Sequence, residues 1–104
     1  MEQNKYLLHG KMTAKEGHRD QLAMILIEAS RMVSAMKGSV LYAVSLDRDH
    51  PHSVFVTEIW DSLEDHDNSL KSDGVRELIM KAMPLLDGPP SRGQELEVIG
   101  GTGG

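Results

Sequence analysis

The fold of this chain is decided by residues 54–70, which read VFVTEIWDSLEDHDNSL. The first seven residues are β-branched or aromatic apart from one acid, and they predict a strand. Ser62 is a favourable helix N-cap, with Asp65 three residues later, so a helix is predicted to begin there. The joint carries the one tryptophan of the chain, with Glu58 two residues before it and His66 six residues after it. An acid, an aromatic and an imidazole at one joint make it the first place to expect chemistry.

Glu58 is predicted to lie among apolar side chains, because alternate residues of a strand point to the same face. One face holds Val54, Val56, Glu58 and Trp60, and the other holds Phe55, Thr57 and Ile59. Bulky residues on both faces predict that the strand is covered on both sides. A carboxylate in such a place needs a partner, or its pKa rises. His66 is predicted one turn into the helix, on or near its buried edge.

Composition limits the function classes. The chain has 104 residues, so 1–104 is predicted to be a single domain, with a flexible tail over 100–104. The net charge is −5, and Lys and Arg do not cluster with aromatics, so nucleic acid is not an expected partner. The absence of Cys excludes disulfides and thiolate metal sites. Neither a signal peptide nor a membrane span is visible, so the expected location is cytoplasmic.

The rest of the sequence alternates strand and helix patterns. Strands are predicted over 6–13, 39–46 and 94–99, and helices over 18–37 and beyond residue 70. Gly38 is predicted to end the first helix, and Gly74 to weaken or kink the second. The polar loop between the middle strands holds His50 and His52, but no clear third ligand accompanies them, so no metal site is predicted.

The order strand, helix, strand, strand, helix, strand predicts an α+β fold of the ferredoxin-like type, βαββαβ. Two right-handed crossovers give a four-stranded antiparallel sheet with both helices on one face. The strands are apolar on both faces, so the face without helices needs a partner. A symmetric homodimer, sheet facing sheet, is the economical arrangement.

Four segments of the sequence look familiar as an ordered set: residues 8–26, 38–70, 82–88 and 95–101. The most specific piece is the E-x-W-x-S run of Glu58, Trp60 and Ser62, which leads into the helix of His66. Together these segments resemble the antibiotic biosynthesis monooxygenase family, and the resemblance covers nearly the whole chain. Its members are small proteins that form a dimeric α+β barrel and are often described as quinol monooxygenases.

The resemblance implies an oxygenase without a cofactor or metal, which oxidises a small quinol or polyphenol with O₂. The substrate is deprotonated and its anion gives an electron to O₂, so the protein supplies a base, a dry pocket and stabilisation of the anion. His66 or His9 is the candidate base, and Glu58 would orient or tune it. Trp60 would form a wall against an aromatic substrate, and Tyr42 would hydrogen-bond a substrate oxygen.

Some positions depart from the family pattern. Ser69 and Gly74 stand where many members carry histidines, and Ser69 is retained as a candidate substrate contact. Ile79 falls near the place of the proximal histidine of haem-degrading relatives, so haem is not an expected ligand.

Two other functions stay open on the residues alone. The same His and acid could serve an isomerase of a small carbonyl compound, which would form its product without O₂. Alternatively, the chain is a ligand-binding or purely structural dimer, in which Glu58, Trp60 and His66 only stabilise the interface. The fold does not decide between them, because one fold hosts many functions.

Overall fold

A computed structural model of the protein describes residues 4–90 and 93–102. Its elements follow the predicted order, and the second helical region, predicted to weaken or kink at Gly74, is divided into two helices. They are β1 (Lys5–Thr13), α1 (Arg19–Val33), β2 (Ser39–Leu46), β3 (Ser53–Trp60), α2 (Leu63–Ser69), α3 (Asp73–Ala82), a 3₁₀ turn (Met83–Leu85) and β4 (Gln94–Val98). Within these described ranges, no helix is both long enough and apolar enough to cross a membrane.

The strands form one antiparallel sheet in the order β2-β3-β1-β4. This confirms the predicted α+β, ferredoxin-like architecture with its antiparallel sheet. The register places Glu58 of β3 between Leu8 of β1 and Tyr42 of β2. The acid therefore lies on a central strand, flanked on both sides by hydrogen-bonded neighbours.

Helices α1 and α3 pack on the face of β3 that carries Trp60, and the core lies between them and the sheet. Trp60 and Val54 are fully buried there. The main helix residues of this core are Leu22, Leu26 and Val33 of α1, and Val75 and Ala82 of α3. Full burial of such large apolar side chains contributes about 1.5–3 kcal/mol each to the free energy of unfolding. Because Glu58 alternates with Trp60 along β3, the packing of α1 and α3 on Trp60 also places Glu58 on the helix-covered face.

The opposite face of the sheet carries none of the described helices, and we call it the open face. Its apolar side chains, half-buried except for the exposed Leu96, are Leu7, Leu41, Ala43, Phe55, Ile59, Leu96 and Val98. Its polar side chains include His9, Thr57, Lys5, Lys11, Ser45 and Gln94. The described part of the chain does not supply the second cover that the sequence predicts for β3.

Two helix boundaries differ from the prediction. Helix α1 ends at Val33 rather than Lys37, and turns lead from there to Gly38. The break between α2 and α3 precedes Gly74, which lies in the first turn of α3. A Cβ on Gly74 would lie 3.0 Å from the sulfur of Met32 in α1, so the glycine permits a close approach of the two helices.

The ends of the chain and one loop are only partly described. Of the predicted flexible tail, residues 103 and 104 lie outside the described residues, as do 91 and 92 of the loop before β4. Strand β4 ends at Val98, one residue earlier than predicted. The single-domain assignment and the flexible tail stay predictions.

Gly38 ties the start of β2 to the joint between β3 and α2. Its φ is +82°, and its carbonyl oxygen accepts a hydrogen bond from the Asp61 N–H at 2.8 Å. A Cβ at this position would overlap the side chain of Asp65, whose own Cβ would be 2.7 Å away. Gly17 has nearly the same φ, +81°, but a Cβ there would meet nothing within 4 Å.

We therefore expect Gly38→Ala to lower the free energy of unfolding more than Gly17→Ala does. Both variants bear the cost of a left-handed backbone, roughly 1–2 kcal/mol. Only Gly38→Ala also displaces Asp65, and we expect that to cost at least about 1 kcal/mol more. Urea unfolding of both variants measures the difference. Equal losses would contradict the packing of Gly38 against α2.

Candidate active site

A cavity of about 320 Å³ lies between the helix-covered face of the sheet and the three helices. Most of its lining is aliphatic, from residues such as Leu8, Met12, Ile25, Leu26, Leu78 and Ala82. Its polar side chains include Tyr42 and Glu58 from the sheet and His66 and Ser69 from α2. The volume falls at the lower end of the range typical of small-molecule pockets. An apolar lining with a few polar groups is also typical of such pockets.

Glu58 is the acid of this cavity. Its Oε1 accepts a hydrogen bond from the indole Nε1–H of Trp60 at 3.0 Å. Burial raises the pKa of the Glu58 carboxyl, and the hydrogen bond from Trp60 and the charge of His66 offset only part of the rise. The carboxyl group is therefore easier to protonate than an exposed glutamate, and its Oε2 is the oxygen left to hold a proton or meet a ligand.

Tyr42 lies beside Glu58 on the neighbouring strand. Burial raises the pKa of its hydroxyl, and the negative charge of Glu58 raises it further. The phenol therefore stays protonated across the physiological pH range. A protonated hydroxyl in an apolar cavity is suited to donate a hydrogen bond to an anionic oxygen of a ligand.

His66 reaches the cavity because Ser62 starts α2 at the right residue. The Ser62 hydroxyl accepts a hydrogen bond from the Asp65 N–H at 3.1 Å, which confirms the predicted N-cap and places His66 one turn later. His66 is buried as predicted, with 8% exposure. Its ring centroid lies 6.1 Å from that of Trp60, nearly perpendicular, and 5.4 Å from that of Tyr6.

His66 is oriented by a hydrogen bond that it donates to Asp67. Nδ1 of His66 lies 3.0 Å from Oδ1 of Asp67. An ionised carboxylate can only accept, so Nδ1 carries the proton in this pair and Nε2 is the nitrogen free to take another. Glu58 was predicted to orient or tune the histidine. In the structure its carboxylate accepts from Trp60 and does not orient His66, but it interacts with His66 through charge.

Ser69 is buried in the wall of the cavity. Its hydroxyl donates to the backbone carbonyl of His66 at 2.6 Å. The proton of this hydroxyl is thus used within α2, and its oxygen remains able to accept a hydrogen bond from a ligand.

His9 lies on the open face, across the sheet from the cavity. Its Nδ1 is 2.9 Å from the hydroxyl oxygen of Thr57, and its ring stacks on Phe55 at 5.4 Å between centroids. The structure thus brings Glu58, Tyr42, His66 and Ser69 together in the cavity lining, and it does not bring His9 to them. Trp60 is fully buried and contacts Glu58 and His66 from behind the lining, so it does not form the predicted wall of the cavity.

A family model described as antibiotic biosynthesis monooxygenase matches residues 5–80, which include every residue of this cluster. The chain belongs to the antibiotic biosynthesis monooxygenase family. No curated protein matches its sequence.

Solved structures agree with the family assignment. A "putative antibiotic biosynthesis monooxygenase" from Chloroflexus aurantiacus J-10-fl is 37% identical, with a TM-score of 0.86 over 95% of this chain and 97% of that chain. A protein of the same description from Deinococcus radiodurans is 25% identical, with a TM-score of 0.73 and 93% of each chain covered. One from Nitrosomonas europaea shares the fold at 11% identity, with a TM-score of 0.89 over 99% of this chain and 98% of that chain.

Two residues of this family member's site were missed by sequence reasoning. Asp67 was visible only as the neighbour of His66, since adjacent helix residues do not normally share a face. Tyr6, whose ring packs on His66, donates its hydroxyl to Glu95 at 3.1 Å. Burial, together with Glu95, raises the pKa of Tyr6 to about 12. Within residues 4–90 and 93–102, no three His, Asp or Glu side chains group in a way that could hold a metal ion.

The buried carboxyl makes stability depend on pH in a defined direction. An acid whose pKa is higher in the folded protein than in the unfolded chain destabilises the fold as the pH rises between the two values. That interval begins near the unfolded value of Glu, about 4.3, and ends at the raised pKa of Glu58.

We expect Glu58→Gln to gain stability relative to the wild-type protein between pH 4 and pH 8. The amide oxygen still accepts the Trp60 hydrogen bond, but no buried negative charge forms as the pH rises. Urea midpoints across this pH range measure the difference. Glu77→Gln, which removes an exposed acid of α3, controls for the change in net charge. A Glu58→Gln difference that is constant with pH would contradict the raised pKa.

Proposed function

We propose that this family member is a cofactor-independent monooxygenase that oxidises a small quinol or polyphenol with O₂ inside the cavity. One observation carries the proposal: an apolar cavity of about 320 Å³ gathers a neutral phenol, a carboxyl of raised pKa and an imidazole at one end. These groups suit the removal of a proton from an electron-rich aromatic and the stabilisation of its anion.

In the proposed reaction, His66 is the base. Nδ1–H donates to Asp67, so Nε2 takes the proton of the substrate hydroxyl, and Asp67 stabilises the imidazolium that forms. Tyr42, and Glu58 in its protonated form, donate hydrogen bonds to the substrate oxygen. The aliphatic lining keeps water away from the anion, which strengthens these interactions.

The electrons that reduce O₂ come from the substrate. The anion gives one electron to O₂, and the resulting radical and superoxide combine to form a C–O bond. The peroxide takes a proton from the imidazolium, and loss of water leaves a hydroxylated quinone. The sum is quinol plus O₂ giving hydroxyquinone plus water, in which the substrate is oxidised by four electrons and O₂ is fully reduced.

We also propose that a second copy of the chain covers the open face. The middle of this face is mostly apolar, with Lys5, Lys11, Ser45 and Gln94 around it. The polar pair near the middle, His9 and Thr57, is internally hydrogen-bonded at 2.9 Å. This hydrogen bond lowers the cost of removing water from the pair, and it leaves Nε2 of His9 to find a partner in the interface. A two-fold dimer places the same patch on both partners, so a face of this kind suits itself.

We expect the wild-type protein to consume O₂ with menadiol faster than the uncatalysed autoxidation of the quinol. His66→Ala should lower the rate by about 100-fold or more, because positioned acid–base groups contribute 10²–10⁴-fold. An oxygen electrode measures the rate, and circular dichroism checks that the variant is folded. His52→Ala, an exposed histidine of the β2–β3 loop, is the matched control and should keep the wild-type rate.

Two outcomes would overturn the oxygenase proposal. If His66→Ala turns over as fast as wild type, the base has been misassigned and the cluster is not the catalytic centre. If product forms at the same rate under argon, the acid–base isomerase is the better account of the same residues.

We expect wild-type protein to elute with twice the chain mass of 11.5 kDa. Ile59→Glu, which puts a charge in the middle of the open face, should give the monomer, since an unpaired buried charge is costly. Light scattering coupled to size exclusion measures the mass. Met80→Glu, at a residue of α3 that is 72% exposed, should leave the dimer intact. A dimeric Ile59→Glu would show that the copies meet elsewhere.

A further inference from the structure

We infer that Gly10 determines the size of the ligand, and that the cavity takes a fused-ring aromatic whose oxygen atoms are confined to one ring. The inference rests on the proposed function in one respect, namely that the cavity binds an aromatic molecule. It adds which aromatic fits, and which residue decides this.

Gly10 lies on the cavity face of β1, between Leu8 and Met12. All three residues line the cavity, as expected for alternate positions of a strand. The residue opposite Gly10 on β3 is Val56. Gly10 is therefore a gap in a row of large side chains under the cavity.

The backbone does not require glycine at this position. Among the described glycines, those with positive φ are Gly17, Gly38, Gly88, Gly93 and Gly101, and Gly10 is not one of them. A Cβ on Gly10 would meet one atom within 4 Å, the Cα of Gly93 at 3.9 Å, which is an ordinary contact. A glycine inside a strand weakens it, because no side chain packs there and the unfolded chain gains freedom. What the missing side chain provides is space in the cavity.

The position of that space follows from the register. The polar end of the cavity lies at Glu58, which pairs with Leu8 and Tyr42. Gly10 is two residues further along β1, so its centre is about 7 Å away at roughly 3.4 Å per residue. The next residue on that face is Met12, so polarity falls along the strand from an acid and a phenol to aliphatic side chains.

A ligand that matches this gradient has its oxygen at Glu58 and Tyr42 and an apolar second ring over Gly10. A single ring held by its oxygen at the polar end would not extend over Gly10. A molecule with a second hydroxyl on its far ring would bury that group against the side chains of Val56 and Met12, which offer it no hydrogen bond, and this is costly. The cavity therefore selects a naphthalene-like molecule that carries its oxygen on the ring at the polar end and none on the ring over Gly10.

The test compares 1-naphthol with phenol on wild type, Gly10→Ala and Gly10→Val. The chain has a single tryptophan, so its indole N–H gives one proton–nitrogen resonance, and this group donates to Glu58 at the polar end. Titrating that signal by NMR gives Kd for both molecules without turnover. We expect Gly10→Val to weaken 1-naphthol at least tenfold, with Gly10→Ala between it and wild type, while Kd for phenol stays within about twofold. Phenol binding by each variant also shows that its polar end is intact.

Three outcomes would overturn the inference. Equal affinity of all three proteins for 1-naphthol would show that Gly10 does not limit the ligand. Binding of phenol but not 1-naphthol by wild type would exclude the fused-ring ligand and leave the proposed function standing. Binding of neither would remove the proposed function as well.

Discussion

The structure depends on how a carboxylate is accommodated in the apolar layer between a sheet and its helices. Glu58 occupies that layer because it alternates with Val56 and Trp60 on the helix-covered face of β3. The indole N–H of Trp60 satisfies one of its oxygens at 3.0 Å. Trp60 is itself fully buried, so the same side chain anchors the core and holds the acid. Trp60, at the end of β3, therefore serves both the packing of the core and the positioning of the Glu58 carboxylate.

The helices enclose the layer that contains Glu58 and Trp60. The Ser62 cap starts α2 directly after the strand and sets His66 against Trp60. The break before α3 then lets the chain return over the sheet. Because Gly74 has no side chain, α3 can pack closely against Met32 of α1. Between these contacts the layer stays open, and the cavity is the space left over. The polar groups of the cavity are held in fixed positions, because they stand on strands and on a capped helix rather than on loops.

The sequence predicted the parts that local rules control. The strand ending at Trp60, the Ser62 cap and the burial of His66 each follow from alternation, capping chemistry or helical spacing. The side of the sheet on which His9 lies could not be predicted, because both faces of the strands are apolar and only helix packing chooses between them. The cavity could not be predicted either, since its volume depends on how closely α1 and α3 approach. Asp67 was missed because its contact with His66 is between adjacent residues, where helical spacing gives no signal.

A crystal structure of the protein soaked anaerobically with menadiol would show directly where the quinol binds and which groups contact its oxygen atoms. We expect density for the ring in the cavity on the helix-covered face, with a substrate oxygen within about 3.2 Å of Nε2 of His66. We also expect Tyr42 or Glu58 to donate to the same oxygen. A cavity closed by the side chains of Met12, Leu26 and Met83, or a ring bound on the open face beside His9, would contradict the account.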